Sequence, residues 1–179
     1  MQTSFYTKKE LLAIGFKSIG DNVLISRFAR FYNIEKIEFG NNVRIDDFCI
    51  LSGHIKLGNN IHISAYTALY GKFGIDLDDY SGLSPRCTIF SASDDFSGEH
   101  LIGPLIDPKY TNLKGGKVLI KKYSQLGSNC IVFPNVTINE GVAVGAMSLV
   151  IDDLAEWGIY KGIPARFHKK RSNKLLDLI

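Results

Sequence analysis

The sequence predicts an all-β fold, a parallel β-helix of triangular cross-section, and three observations carry that expectation. The first is a period: an aliphatic or phenylalanine side chain returns every six positions through most of the 179 residues. Six coils start at Ile19, Phe39, Leu57, Leu77, Ile120 and Ile138, with further inward positions six and twelve residues on. These are Ile25 and Phe31, Ile45 and Leu51, Ile63 and Leu69, Leu83 and Ile89, Leu126 and Val132, and Val144 and Val150. Ile, Leu, Val and Phe make up 58 of 179 residues, so filling all eighteen positions by composition alone has a probability of ~10⁻⁹. The second observation is corner chemistry. Gly20, Gly40 and Gly58 follow the first-column residues, and Asp21-Asn22, Asn41-Asn42 and Asn59-Asn60 come next. Gly, Asn and Asp tolerate positive φ and bond their own backbone, which suits a chain that turns every six residues. The third is spacing: coil starts lie 20, 18, 20, 43 and 18 residues apart. Eighteen is one three-strand coil; neither a helical period nor simple alternation produces it.

Element by element, Thr7-Lys8-Lys9-Glu10 is a capping box, since Thr7 can accept from the amide of Glu10 while Glu10 reaches back. It opens a short helix through Leu11 and Leu12 that ends near Gly15 and covers the open edge of the first coil, an edge that would otherwise recruit other chains. The spacings of 20 place two-residue bulges before Phe39 and Leu77, and the spacing of 43 contains a coil plus a 25-residue insertion from 92 to 116. Long loops on rigid scaffolds carry function or are disordered. Phe96, Leu101, Ile102, Leu105, Ile106 and Tyr110 argue against disorder. The expected organisation is one domain over 1–179: an N-terminal cap (1–18), coils (19–91), an excursion loop (92–116), coils (117–151), and a C-terminal segment and helix (152–179).

Composition excludes several classes. A net charge of +3 is too small to argue for nucleic acid. No apolar run approaches the roughly 20 residues of a membrane span, and the first residues lack signal-peptide character. Cys49, Cys87 and Cys130 are odd in number and widely spaced, which reads as free thiols in a reducing, cytoplasmic setting.

The repeat, the loop after four coils, the stretch LGSNCIVFPNVTINEGVAVGAMSLV and the ending WGIYKGIPARF together resemble the hexapeptide-repeat acyltransferases. Within them the chain is similar to the sugar O-acetyltransferases of bacterial surface-polysaccharide and lipopolysaccharide biosynthesis, relatives of galactoside and maltose acetyltransferase. The resemblance implies a left-handed β-helix, acetyl-CoA as co-substrate, a sugar or nucleotide-sugar acceptor, and a homotrimer with sites between subunits. In galactoside and maltose acetyltransferases a His-Pro opens the loop and supplies the base; here the matching stretch is Ser91-Ala92-Ser93-Asp94-Asp95. The base must therefore be reassigned. His62 is the first candidate, because it precedes inward Ile63, points outward, and stacks beside Arg44 and side-chain-free Gly82. Asp94 or Asp95 of an adjacent subunit would orient it, and His100 would shape the acceptor pocket. His54 and His168 are weaker candidates. The resemblance puts CoA along Gly127, Ser128, Gly145 and Ala146, with Lys161, Pro164 and Arg166 near its phosphates. No metal site is expected, because no two histidines have ligand-like spacing. Two other readings stay open: N-acetylation of a nucleotide-linked amino sugar, whose amine needs less help from a base, and a non-catalytic binding module.

Overall fold

The computed structural model describes residues 4–178. It is a parallel β-solenoid in which strand pairing stacks the three columns read from the sequence. Ile19, Phe39, Leu57, Leu77, Ile120 and Ile138 pair in succession. Ile25, Ile45, Ile63, Leu83, Leu126 and Val144 form the second column. Phe31, Leu51, Leu69, Ile89, Val132 and Val150 form the third. All are buried except Ile19 and Phe31, which pack partly exposed against the core at the N-terminal end. Each coil thus hides the aliphatic face of the next, which no coil could do alone.

The helix Lys8–Ile14 begins in the expected capping box, with Glu10 accepting from the Thr7 amide at 2.7 Å, and ends at Gly15 with φ 93°. Its Leu11 is buried against the first coil. Glu10 also takes two hydrogen bonds from Arg27, which draw its carboxyl down to about 2. Coil stacking is tight at the first corner. A Cβ on Gly40 would lie 2.5 Å from the Gly58 carbonyl oxygen, so that position has no room for a side chain.

The left-handed corner positions are not all Gly, Asn or Asp. At the first, Asn22, Asn42 and Asn60 are left-handed and their amides form a ladder, Asn22 to Asn42 at 2.9 Å and Asn42 to Asn60 at 3.0 Å. Farther along the same corner, Tyr80, Tyr123 and Trp157 replace them and stack. At the second corner the left-handed positions are Phe48, Tyr66, Arg86, Asn129 and Met147. Bulky residues rarely hold positive φ. Here the Tyr66, Arg86, Asn129 and Met147 amides are fixed to the coil before them, as with Tyr66 to Asp47 and Arg86 to Ala65, both at 3.0 Å.

Of the C-terminal helix expected at 171–179, the described residues show only a short 3-10 turn, Ile179 lying outside them, and a hairpin precedes it. Gly158–Lys161 joins the second column beside Val144, and the chain reverses at Gly162 into Arg166–Lys170, antiparallel to it. A short 3-10 helix, Lys174–Leu178, follows. The physical reason is edge closure: the hairpin caps the last coil, and Arg171 pins it by donating to the Tyr123, Gly141 and Val142 carbonyls. Among the described residues no helix is long and apolar enough to cross a membrane.

Candidate active site

The excursion leaves the third column after Phe90. Its neck is a two-stranded antiparallel ribbon, Ala92–Ser93 with Lys114–Gly115. Asp95, 4% exposed, organises what lies beyond. It accepts from the Ser97 amide at 3.0 Å and from Asn112 Nδ2 at 2.7 Å, and Lys114 Nζ approaches at 3.2 Å. The Ser97 hydrogen bonds, then Asn112 and Lys114, hold its carboxyl well below the usual carboxylate range. His100 Nδ1 also sits 3.2 Å from Asp95, in ion-pairing reach but outside hydrogen-bond geometry. Asp95 and His100 therefore fold the loop around themselves.

Asp94 is placed differently. It is half-buried and lines a cavity of about 290 Å³ with Phe90, Ala92, Ser93, Phe96, Phe133 and Pro134. Its carboxylate has no hydrogen bond or ion pair among the described residues. A free carboxylate on a largely aromatic wall suits a ligand with an apolar body and one cationic or proton-donating group.

His62 lies on the second column, in register between Arg44 and Gly82. Its Nε2 is 2.7 Å from Asp46 Oδ2, and Arg44 Nε donates to Asp46 Oδ1 at 2.7 Å. Burial would raise Asp46, but the hydrogen bonds from Arg44 and His62 outweigh it and hold the carboxyl below its ordinary value. With Nε2–H donating, Nδ1 is left as the proton-accepting nitrogen. Within one chain the carboxylate that orients His62 is thus Asp46; no hydrogen bond or ion pair links His62 to Asp94, Asp95 or His100. The space expected at Gly82 is filled: a Cβ there would lie 2.7 Å from Gln125 Oε1, and Gln125 itself donates to the Tyr80 carbonyl.

Gly127 and Gly145 stack at the end of the second column, past Ser84. Ser128 is half-buried beside them and Ala146 exposed. At Gly127 a Cβ would sit 2.6 Å from the Ala146 amide nitrogen, so coil packing already demands glycine there. Lys161 and Pro164 flank the reversal at Gly162, and Arg166 Nη1 holds Asp152 at 2.9 Å with both side chains largely exposed. His54 stands exposed at a corner and His168 in the last strand. Asp46, Phe90 and Phe133 escaped the sequence reading. The alternation of Arg44, Asp46 and His62 on one outer face was the available signal for the first. Phe90 and Phe133 follow inward Ile89 and Val132 of consecutive coils, so their stacking was legible; that Asp94 shares a cavity with them was not.

No protein-family model matches the chain. It is 42% identical over 172 residues to a dTDP-4-amino-4,6-dideoxy-D-glucose acyltransferase of Escherichia coli, covering 94% of this chain and 90% of that protein. AntD, an N-acyltransferase from Bacillus cereus solved with dTDP and 3-hydroxybutyryl-CoA, superposes with a TM-score of 0.96 at 53% identity, over 99% of this chain and 95% of AntD. The putative lipopolysaccharide biosynthesis O-acetyl transferase WbbJ of E. coli K12 is 30% identical over 138 residues, 77% of this chain and 62% of WbbJ. Period, coil register and these likenesses agree: the chain belongs to the hexapeptide-repeat acyltransferases.

Proposed function

We propose that the chain transfers an acyl group from acyl-CoA to the amino group of a nucleotide-linked amino sugar. The observation that carries this is Asp94, an unpaired carboxylate in an aromatic-walled cavity at the neck of the loop. The relatives support it, since one is a dTDP-amino-sugar acyltransferase and AntD is an N-acyltransferase known with dTDP-4-amino-4,6-dideoxyglucose and CoA. They shift the reading from the hydroxyl acceptor expected from sequence to its amine alternative. A sugar ammonium must shed one proton before it attacks, and a carboxylate both attracts it and takes that proton. Asp94 passes that first proton to solvent. The N–C bond then forms as the C–S bond breaks, and the second proton leaves the nitrogen through Asp94 to the departing thiolate, giving amide and free CoA. No acyl-enzyme is needed.

In this reading CoA lies along Gly127, Ser128, Gly145 and Ala146, with Lys161, Pro164 and Arg166 toward its phosphates. Arg166 is free to exchange its exposed pairing with Asp152 for a phosphate, because such surface pairs are worth only about 0–1 kcal/mol. Ser84 adjoins that stripe, whereas Asp94 opens at another corner, so the site is completed by two copies in a left-handed homotrimer. AntD has been solved with its residue-84 serine or residue-94 aspartate replaced, and this chain has Ser84 and Asp94. Asp95 and His100 position the loop that carries Asp94. The single-domain organisation over 1–179 and a cytoplasmic setting, which the free thiols Cys49, Cys87 and Cys130 suit, complete the proposal.

A second reading, O-acetylation of a polysaccharide precursor, is favoured by the His62–Asp46 dyad, a built general base. The deciding experiment offers acetyl-CoA or 3-hydroxybutyryl-CoA with a dTDP-4-amino sugar or its 4-hydroxy counterpart. Acyl transfer to the amine alone is expected. Transfer to the hydroxy sugar alone would hand the site to His62, and no transfer with detectable CoA binding would leave a binding module.

A further inference from the structure

Beside the Asp94 cavity lies an unassigned cationic cleft. The corner between the third and first columns holds a hollow of about 430 Å³ lined by five lysines, Lys17, Lys36, Lys56, Lys72 and Lys117, against two carboxylates, Glu38 and Asp76. Both carboxylates are already spoken for: Lys17 meets Glu38 at 2.7 Å and Lys117 meets Asp76 at 2.6 Å. Lys56 lies in register between the same two acids. Lys36 and Lys72 are left with no ion pair among the described residues. Both line this hollow and an adjoining one of about 390 Å³, and His54 stands between them. The backbone is bare there, since a Cβ on Gly53 would lie 2.7 Å from the Gly71 carbonyl oxygen. The adjoining hollow is also lined by Ala92, and Ala92 lines the Asp94 cavity. Unpaired ammonium groups, a floor opened by Gly53 and Gly71, and a lining residue shared with the Asp94 cavity occur at one corner.

We infer that Lys36 and Lys72 bind the diphosphate of the nucleotide-linked acceptor, so that its sugar reaches along Ala92 to Asp94. This rests on the acceptor class proposed above and adds to it the place where the acceptor's charge is read. A lysine pair without carboxylates gives charge-assisted contacts to phosphate oxygens. CoA carries a diphosphate too, but the stripe and turn assigned to it belong to later coils and the C-terminal hairpin.

The test is equilibrium titration of the wild-type protein and the Lys36→Gln/Lys72→Gln double variant with dTDP, thymidine and CoA at two salt concentrations. The double variant is expected to lose roughly 10- to 100-fold in dTDP affinity, with the loss shrinking at high salt, while thymidine and CoA binding stay unchanged. Unchanged dTDP affinity overturns the inference. So does a parallel loss for CoA, which would assign the cleft to the donor. Titration needs no turnover, so the two readings fail separately. Weakened dTDP binding without amine acylation would keep the cleft and sink the reaction. Amine acylation with an unaltered acceptor KM in the double variant would do the reverse.

Discussion

Asp94 and Asp95 are neighbours with opposite surroundings, and their chemistry divides accordingly. Asp95 is ringed by Ser97, Asn112, His100 and Lys114, whereas Asp94 faces an open aromatic wall. Asp94→Asn is therefore expected to lower turnover by about 10²- to 10⁴-fold with CoA affinity unchanged. His62→Ala should cost less than tenfold on an amine acceptor, roughly the effect of a nearby but non-reacting group. A collapse of turnover in His62→Ala with Asp94→Asn nearly silent would move the base to the His62–Asp46 dyad. Asp95 has its own signature, in acid. Its depressed carboxyl contributes stability fully above the unfolded aspartate value of about 3.9, and that contribution is lost as pH falls toward the lower folded value. Protection of the Ser97 amide from hydrogen exchange should drop as pH falls below about 4. Asp95→Asn should show low protection at every pH; protection that does not respond to pH in the wild type would refute the anchoring role.

At the scale of elements, the coils are constrained by contact distance and the C-terminal hairpin by charge. Adding a methyl at Gly40 drives it into backbone of the next coil, which cannot rotate away as a side chain would. Gly40→Ala is expected to destabilise the protein by about 1–3 kcal/mol in chemical denaturation, the usual cost of overpacking; an unshifted midpoint would mean that the coil spacing yields. In the hairpin, Arg166 is held by Asp152 but exposed. Arg166→Glu should weaken CoA binding about tenfold at low salt and much less at high salt, with folding intact. Equal affinity at low salt would remove Arg166 from the donor site.

For the whole molecule, the outer surface is richer in aromatic groups than an isolated solenoid requires. Phe48 and Tyr66 stack at one corner while 49% and 53% exposed, and Phe73 is 45% exposed at another. Contiguous exposed apolar surface of this kind marks contact with another molecule. Light scattering at micromolar concentration should give about three times the chain mass of 19.9 kDa. A monodisperse monomer that still acylates would show that one chain builds a complete site and would sink the two-copy arrangement.

The sequence by itself determined the solenoid, its three columns and their register, because burial at every sixth position leaves the chain one way to hide its aliphatic face. It also marked the N-terminal capping box, a local contact between residues three apart, and Asp94 at the loop's mouth as a departure from the loop histidine of the galactoside enzymes. Only tertiary structure decided what Asp94 faces: the period stacks Phe133 on Phe90, but the path of the excursion loop, which the period does not govern, turns Asp94 into a cavity with them. The same holds for the partner of His62. Asp46 lies sixteen residues away in sequence but one coil away in space. The end of the chain followed this rule as well. The expected helix at 171–179 is a short 3-10 turn in the described residues, while Arg166–Lys170, which the sequence left unassigned, takes the strand hydrogen bonds offered beside the last coil through the hairpin. Periodicity is written in one dimension and survives being read there; a site is a meeting of distant residues, and it exists only once the coils are wound.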